Sequence, residues 1–125
     1  MEILNTKLAP AAIGPYSQAT KANGFIFVSG QLPIDPATSE LKTDIKEATL
    51  QSLTNIDNIL KSGNSDRNHI LKVTIFLADM ADFGAVNEVY NEFFKAPYPA
   101  RCCFAVKALP KNAPVEIEAI ATCLD

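Results

Sequence analysis

The sequence predicts an α+β fold in which two helices pack on one face of a mixed β-sheet. Six runs have the apolar-polar alternation of strands, and two stretches repeat their apolar residues with the 3.6-residue period of a helix. The predicted order is strand, strand, strand, helix, strand, helix, strand, strand. This order favours an α+β sandwich with both helices on the same side of the sheet.

Length and composition are those of one globular domain, residues 1–125. A chain of 125 residues can bury one sizeable core, and 48% of its residues are hydrophobic. The net charge of -3 leaves no large positive field to hold a phosphate backbone, so nucleic acid is an unlikely partner. No apolar run approaches the roughly 20 residues of a membrane helix, and the first residues lack the pattern of a secretory signal. We therefore expect a cytoplasmic protein.

Cysteine usage also indicates a reducing compartment. Cys102, Cys103 and Cys123 make an odd count, and the first two are neighbours whose side chains diverge. No C-x-x-C motif is present and His69 is the single histidine, so no metal site is predicted.

Three strand-like runs open the chain. The run from Ile3 to Leu8 alternates weakly, a proline- and glycine-containing loop follows, and a short strand is predicted from Ser17 to Lys21. The turn Asn23-Gly24 then favours a hairpin leading into the strand Phe25–Ser29.

Two amphipathic helices and a core strand follow. Asp44 with Glu47 has the form of an N-terminal capping pair for a helix from Ile45 to Ser62. A strand is predicted with four apolar residues on its core face, Leu71, Val73, Ile75 and Leu77. Asp82 opens the second helix, whose apolar residues are Phe83, Val86, Val89, Tyr90 and Phe93.

The stretch from Pro99 to Ala119 predicts two strands joined by a loop. Arg101 shares a strand face with Cys103, and Glu116 shares one with Glu118. The opposite face of the second strand is apolar and is predicted to be buried; it consists of Val115, Ile117, Ala119 and Ala121. We therefore expect a carboxylate pair near a guanidinium.

Apolar residues occupy both faces of several strands, for example Phe25 and Phe27 against Ile26 and Val28. Two helices can cover only one face. The second sheet face is therefore predicted to meet another copy of the chain.

Four segments carry a family resemblance: APAAIGPYSQA, FIFVSGQLP, FGAVNEVYNEFF, and PARCCFAVKALP followed by VEIEA. They closely resemble the RidA (YjgF) family of reactive-intermediate deaminases over almost the whole chain. The resemblance implies a chorismate-mutase-like fold and a homotrimer whose three sites lie in the clefts between subunits. It also implies hydrolysis of enamines and imines such as 2-iminobutanoate and 2-iminopropanoate, and we expect this reaction to need no metal or organic cofactor. Pyridoxal-phosphate dehydratases release these compounds, and the products are 2-oxo acids and ammonia.

Matched position by position, the family's site falls on Tyr16, Ser29, Gly30, Asn87, Arg101, Cys103 and Glu116. The resemblance implies that Arg101 binds the substrate carboxylate and that Glu116 guides the attacking water. Two departures are a short FFKAPY loop before the Pro-Ala-Arg motif and Cys102 where serine is common.

Each candidate also has an ordinary structural interpretation. Arg101 could form an ion pair with Glu116 or Glu118. Tyr16 could be a packing residue, Ser29 and Gly30 could end a strand, and Asn87 could be a polar residue on a helix face. Cys103 could be a nucleophile, but a buried cysteine usually behaves as a small hydrophobe. The alternatives at the level of function are a ribonuclease and a non-catalytic module that binds small carboxylates.

Overall fold

A computed structural model describes residues 1–125 and contains six strands and two α-helices. The predicted order of elements is confirmed. The strands are β1 (Glu2–Leu4), β2 (Ala19–Ala22), β3 (Phe25–Gln31), β4 (Ile70–Leu77), β5 (Ala100–Ala105) and β6 (Val115–Thr122). The helices are α1 (Ile45–Ser62) and α2 (Phe83–Phe93).

All six strands form one mixed sheet in the order β1-β2-β3-β6-β4-β5. Every pair is antiparallel except β4 and β5, which α2 connects as a crossover. Strand β5 is therefore an edge strand. It pairs only with β4, and β4 lies between β5 and β6.

The core lies between the sheet and the helices. Side chains of β6 point alternately into it, so Val115, Ile117, Ala119 and Ala121 are buried as predicted. Helix α1 packs on β3, β6 and α2. Its start is fixed by the carboxylate of Asp44, which accepts a hydrogen bond from the Glu47 amide. Neither helix is long and apolar enough to traverse a bilayer.

The opposite side of the sheet carries no helix, and we call it the open face. Phe25, Phe27 and Phe104 lie there with 41%, 49% and 45% of their surface exposed. Phe76 meets Phe104 edge to face, with 5.4 Å between ring centroids. Apolar exposure on this scale is typical of a surface that contacts another protein.

The sequence misplaced several local features, among them the end of β3, which continues to Gln31 rather than stopping at Ser29. Strand β1 ends at Leu4 rather than Leu8, and β2 begins at Ala19 rather than Ser17. Leu71 was predicted to face the core, but the pairing of β4 with β6 shifts register there and leaves Leu71 46% exposed. Ile70 is buried in its place. A β-bulge adds one residue to a strand, so strict alternation assigns the wrong face on one side of it.

Candidate functional site

Arg101 lies on the helix side of the sheet, at the exposed edge of β5. Its register partner is Val73, which is fully buried in the core. Its Nη1 donates a hydrogen bond of 2.7 Å to Oδ1 of Asn87 on α2. The guanidinium carbon is 4.8 Å from the ring centroid of Tyr90 and 5.6 Å from that of Phe83. One helix therefore supplies all three contacts.

The spacing of those contacts explains why α2 can make them together. Phe83, Asn87 and Tyr90 are at positions i, i+4 and i+7, which lie on one face of a helix. The helix and β5 border an open cleft of about 700 Å³. Its lining residues are Asn87, Glu88, Tyr90, Asn91, Tyr98, Pro99 and Arg101.

Arg101 has no acidic partner within the chain, because none of the ion pairs includes it. The expected neighbourhood with Glu116 and Glu118 is wrong for a single chain. Both glutamates alternate with buried residues of β6 and lie on the open face, whereas Arg101 lies on the helix side. An ordinary ion pair within the chain is thus excluded as the reason for the arginine. Its remaining N–H groups are available for a planar anion.

Glu116 forms a second group of candidates with Ser29 and Gly30. The pairing of β3 with β6 shifts register between Val28 and Gln31, so two residues of β3 oppose one of β6. A Cβ atom on Gly30 would lie 3.0 Å from both Cδ and Oε1 of Glu116. Glycine is therefore needed for the carboxylate to lie across this part of the strand.

The segment that carries Tyr16 is tied to the same group. The Ser29 hydroxyl donates a 2.6 Å hydrogen bond to the carbonyl of Ser17, and the Ser29 amide donates to that of Gln18. The buried Gln18 side chain in turn bonds to the backbone of Thr6, with further bonds to Ala9 and Pro10. The loop before β2 is thus held in place, with Tyr16 half-exposed on it.

Burial raises the pKa of the Glu116 carboxyl above its ordinary value, and the neighbouring charge of Glu118 raises it further. No cation within the chain pairs with Glu116. A carboxylate in such surroundings is a stronger base than a solvated one. It is therefore better suited to accept a proton from water than a solvent-exposed glutamate is.

Cys103 lies below Arg101 on the same side of β5 and packs partly against the core. Burial raises the pKa of its thiol, and the positive charge of Arg101 only partly offsets this. The imidazole of His69 bonds to Asp66 instead. Cys103 consequently has the properties of a neutral packing residue rather than those of an activated nucleophile.

The predicted site residues thus form two groups in one chain. Arg101, Asn87 and Cys103 make up the arginine half-site; Glu116, Gly30 and Ser29 make up the glutamate half-site, with Tyr16 on the loop attached to it. Strand β4 lies between the two, which separates the backbones of β5 and β6 by roughly 10 Å. The half-sites also face opposite sides of the sheet, so a single chain does not bring them together.

Sequence reasoning did not identify Tyr90, Phe83 or Gln18 as site residues. The sequence does contain a signal for Tyr90 and Phe83, because helical spacing places both on the same face of α2 as the candidate residue Asn87. Gln18 had no comparable signal, since nothing in the sequence indicates that its amide is buried. No three Cys, His, Asp or Glu side chains lie close enough together to hold a metal ion.

The mixed sheet with two helices on one side defines an α+β domain of the chorismate-mutase-like class. The sequence profile of the family described as endoribonuclease L-PSP matches residues 6–123. The chain belongs to this family, which is also that of the RidA proteins.

Three relatives illustrate the similarity. A goat (Capra hircus) 2-iminobutanoate/2-iminopropanoate deaminase is 50% identical over 95% of this chain and 88% of its own length. The crystal structure of E. coli TdcF with bound serine has a TM-score of 0.95 and 41% identity, covering 98% of both chains. RidA from an Antarctic Psychrobacter has a TM-score of 0.95 and 40% identity, covering 98% of this chain and 99% of its own.

Proposed function

We propose that the protein hydrolyses small 2-imino acids, such as 2-iminobutanoate and 2-iminopropanoate, to 2-oxo acids and ammonia. The observation that carries the proposal is the Arg101 guanidinium, which borders a cleft without an acidic partner. A guanidinium binds a carboxylate through two parallel hydrogen bonds. The name of the goat relative and the serine bound to TdcF, itself a small amino acid, support the same class of ligand.

We further propose that each active site forms between two copies of the domain, residues 1–125, in a homotrimer. The two half-sites of one chain lie on opposite sides of the sheet, and the exposed phenylalanines of the open face would be covered by such an assembly. The arginine half-site of one copy then meets the glutamate half-site of the next. Closed symmetric assemblies repeat one interface around an axis, which yields one such site per subunit.

Within that site the groups take complementary roles. Arg101 holds the substrate carboxylate, and Tyr16 and the Gly30 backbone position the imine. The proton of the Ser29 hydroxyl is engaged with the Ser17 carbonyl, so its oxygen presents lone pairs that can accept a hydrogen bond from the imine N–H. Cys103 and Asn87 shape and orient the arginine half-site.

Glu116 removes a proton from water as the water oxygen bonds to C2 of the imine, and the imine nitrogen takes up a proton from the solvent. The product is a carbinolamine. Glu116 then returns its proton to the amino group, and the C2–N bond breaks with its electron pair leaving on nitrogen. The hydroxyl oxygen becomes the carbonyl of the 2-oxo acid as its proton passes to the solvent. Ammonia leaves, and the side chains regain their starting states. Positioning plus one acid-base group suffices for a hydrolysis of this kind.

The decisive experiment couples a pyridoxal-phosphate dehydratase to semicarbazide trapping of the free imine. The wild-type protein should lower semicarbazone formation, because it removes the imine first. Arg101→Lys keeps the charge and loses the planar fork, so its kcat/KM should fall roughly 10- to 100-fold. Near-normal turnover by that variant would contradict the carboxylate-binding role. Loss of turnover with retained thermal stability supports it.

The same experiment separates the alternatives. A binding or regulatory module would bind 2-oxobutanoate without lowering semicarbazone formation. The family description favours a ribonuclease as the second candidate, and that activity would require RNA binding that weakens steeply with salt. The proposed substrates are products of pyridoxal-phosphate dehydratases, so we propose a functional link to those enzymes in the cytoplasm.

A further inference from the structure

Tyr90 is the aromatic residue closest to the Arg101 guanidinium. Its ring centroid is 4.8 Å from the guanidinium carbon, within the distance of about 6 Å over which a cation is attracted to a ring face. Asn87 holds the same guanidinium through Nη1. A hydrogen bond to one nitrogen leaves rotation about that bond free. The ring supplies a second, planar constraint.

The ring itself is firmly held. Tyr90 is only 5% exposed, and its ring packs on that of Phe94 with 4.6 Å between centroids. Phe94 in turn meets Phe93 edge to face at 5.0 Å. These contacts belong to the end of α2 and fix the orientation of the Tyr90 ring before any ligand is present.

The hydroxyl group of Tyr90, unlike the ring, makes no specific contact. It is inaccessible to solvent and has no hydrogen-bond partner in the protein. Burial raises the pKa of Tyr90 to about 12, so the side chain is neutral and does not form an ion pair with Arg101. An inaccessible hydroxyl cannot touch a ligand in the cleft. The contact that matters to Arg101 is therefore the ring face.

We propose that Tyr90 is a positioning residue whose ring face holds the Arg101 guanidinium in the orientation that receives a ligand carboxylate. This inference rests on the proposed carboxylate-binding role of Arg101. Arginine loses less conformational freedom on binding when its planar group is already oriented. Tyr90 thus contributes to ligand affinity by orienting Arg101, and the ring rather than the hydroxyl is required.

The test compares Tyr90→Phe, which keeps the ring, with Tyr90→Leu, which removes it. Phe93→Leu is the matched control, since Phe93 is a 6% exposed aromatic residue on the same helix whose ring contacts Arg67 instead. Calorimetry measures the affinity for 2-oxobutanoate, a proposed product. Nitrogen-15 NMR, with the Arg101 Nε–H signal assigned by its loss in Arg101→Lys, measures the order of the guanidinium in the free protein.

We expect Tyr90→Leu to weaken 2-oxobutanoate binding about tenfold and to increase the motion of the Arg101 signal. Tyr90→Phe should bind within about twofold of the wild type. Phe93→Leu, whose ring packs on Phe94 rather than on Arg101, should change both readouts much less than Tyr90→Leu does. The inference is overturned if Tyr90→Leu leaves the Arg101 signal as ordered as in the wild type. It is also overturned if Tyr90→Phe loses as much affinity as Tyr90→Leu, because the hydroxyl would then be the required group.

If Tyr90→Leu does not fold, Tyr90→Met replaces it, because methionine fills a similar volume without a ring face. The same expectations and contradictory outcomes apply to it. The NMR measurement needs no ligand, so it tests Tyr90 independently of the proposed function. Suppose that the wild type does not bind 2-oxobutanoate, but the Arg101 signal is ordered in the wild type and mobile in Tyr90→Leu. This result would contradict the proposed function and leave the role of Tyr90 supported.

Discussion

At the scale of single residues, two half-buried charges of opposite sign have no partner of opposite charge within the chain. Arg101 is oriented by an amide and by aromatic rings, and Glu116 lies over a glycine with only another glutamate nearby. Partly buried charges without partners are costly, so a protein that keeps them usually uses them. A 2-imino acid has a carboxylate that Arg101 can bind and a carbon, C2, to which Glu116 can direct water.

The raised pKa of Glu116 predicts the acid limb of the pH profile. The proposed mechanism requires the carboxylate form of Glu116. Activity should therefore fall as the pH drops through the pKa of Glu116, at a higher pH than an ordinary glutamate would give. Glu118→Gln removes the neighbouring charge and should move this limb to lower pH. Turnover measured from acidic to neutral pH gives both positions, and an unshifted limb in Glu118→Gln would contradict the assignment.

Glu116→Gln should slow turnover roughly 100- to 10,000-fold while 2-oxobutanoate still binds. It should not weaken the fold at neutral pH. A carboxyl whose pKa folding raises stabilises the native state below its unfolded pKa, and this contribution is lost as the pH rises through the folded pKa. Calorimetry that detects no 2-oxobutanoate binding would assign Glu116 to ligand binding instead.

At the scale of elements, the β-bulge of β3 brings Ser29 and Gly30 together opposite β6. Without the bulge the two residues would point to opposite faces. With it, Gly30 leaves room for Glu116, and Ser29 secures the loop that carries Tyr16. The bulge is thus the local feature that assembles the glutamate half-site.

Gly30→Ala tests that role. The added Cβ would lie 3.0 Å from the Glu116 carboxyl group, so the flexible carboxylate must move, while the backbone remains acceptable. We expect kcat to fall about 100-fold with little change in thermal stability. Gly84→Ala is the control, because nothing lies within 4 Å of its Cβ position on α2. It should keep full activity and gain up to about 1 kcal/mol in the free energy of unfolding. Equal activity of the two variants would contradict the placement of Glu116.

At the scale of the whole molecule, the sheet separates Arg101 from Glu116, so the proposed active site requires a second copy of the chain. Variants lacking one group each should therefore complement one another. Co-expression of Arg101→Lys with Glu116→Gln should form mixed trimers in which about a quarter of the sites combine an intact arginine with an intact glutamate. Activity should recover to about that fraction of the wild type.

In the control, Arg101→Lys is co-expressed with the double variant Arg101→Lys/Glu116→Gln. This mixture contains no intact arginine, so activity should not be restored. Analytical ultracentrifugation of each preparation reports the oligomeric state. Trimers that show no recovery when the two single variants are mixed would contradict a site shared between subunits.

Local pattern was sufficient for most of the fold. The sequence alone predicted helix α1 with the bounds Ile45–Ser62, because a cap and a 3.6-residue period are properties of neighbouring residues. It also predicted the buried face of β6, since strand alternation is local in the same way. The burial of Leu71 was predicted wrongly because it depends on a β-bulge. A bulge is set by the pairing with the partner strand, and the alternation of residues within one strand does not reveal it.

The sequence by itself determined the elements, their order, the core and the identity of the candidate residues. Only the tertiary structure decided which candidates lie together. Arg101 and Glu116 are both on strands, but the side of the sheet that each faces depends on the register of β5 with β4 and of β4 with β6. Register is set by contacts between strands distant in the chain, and shifting it by one residue would exchange the two faces. The separation of the half-sites follows from that pairing.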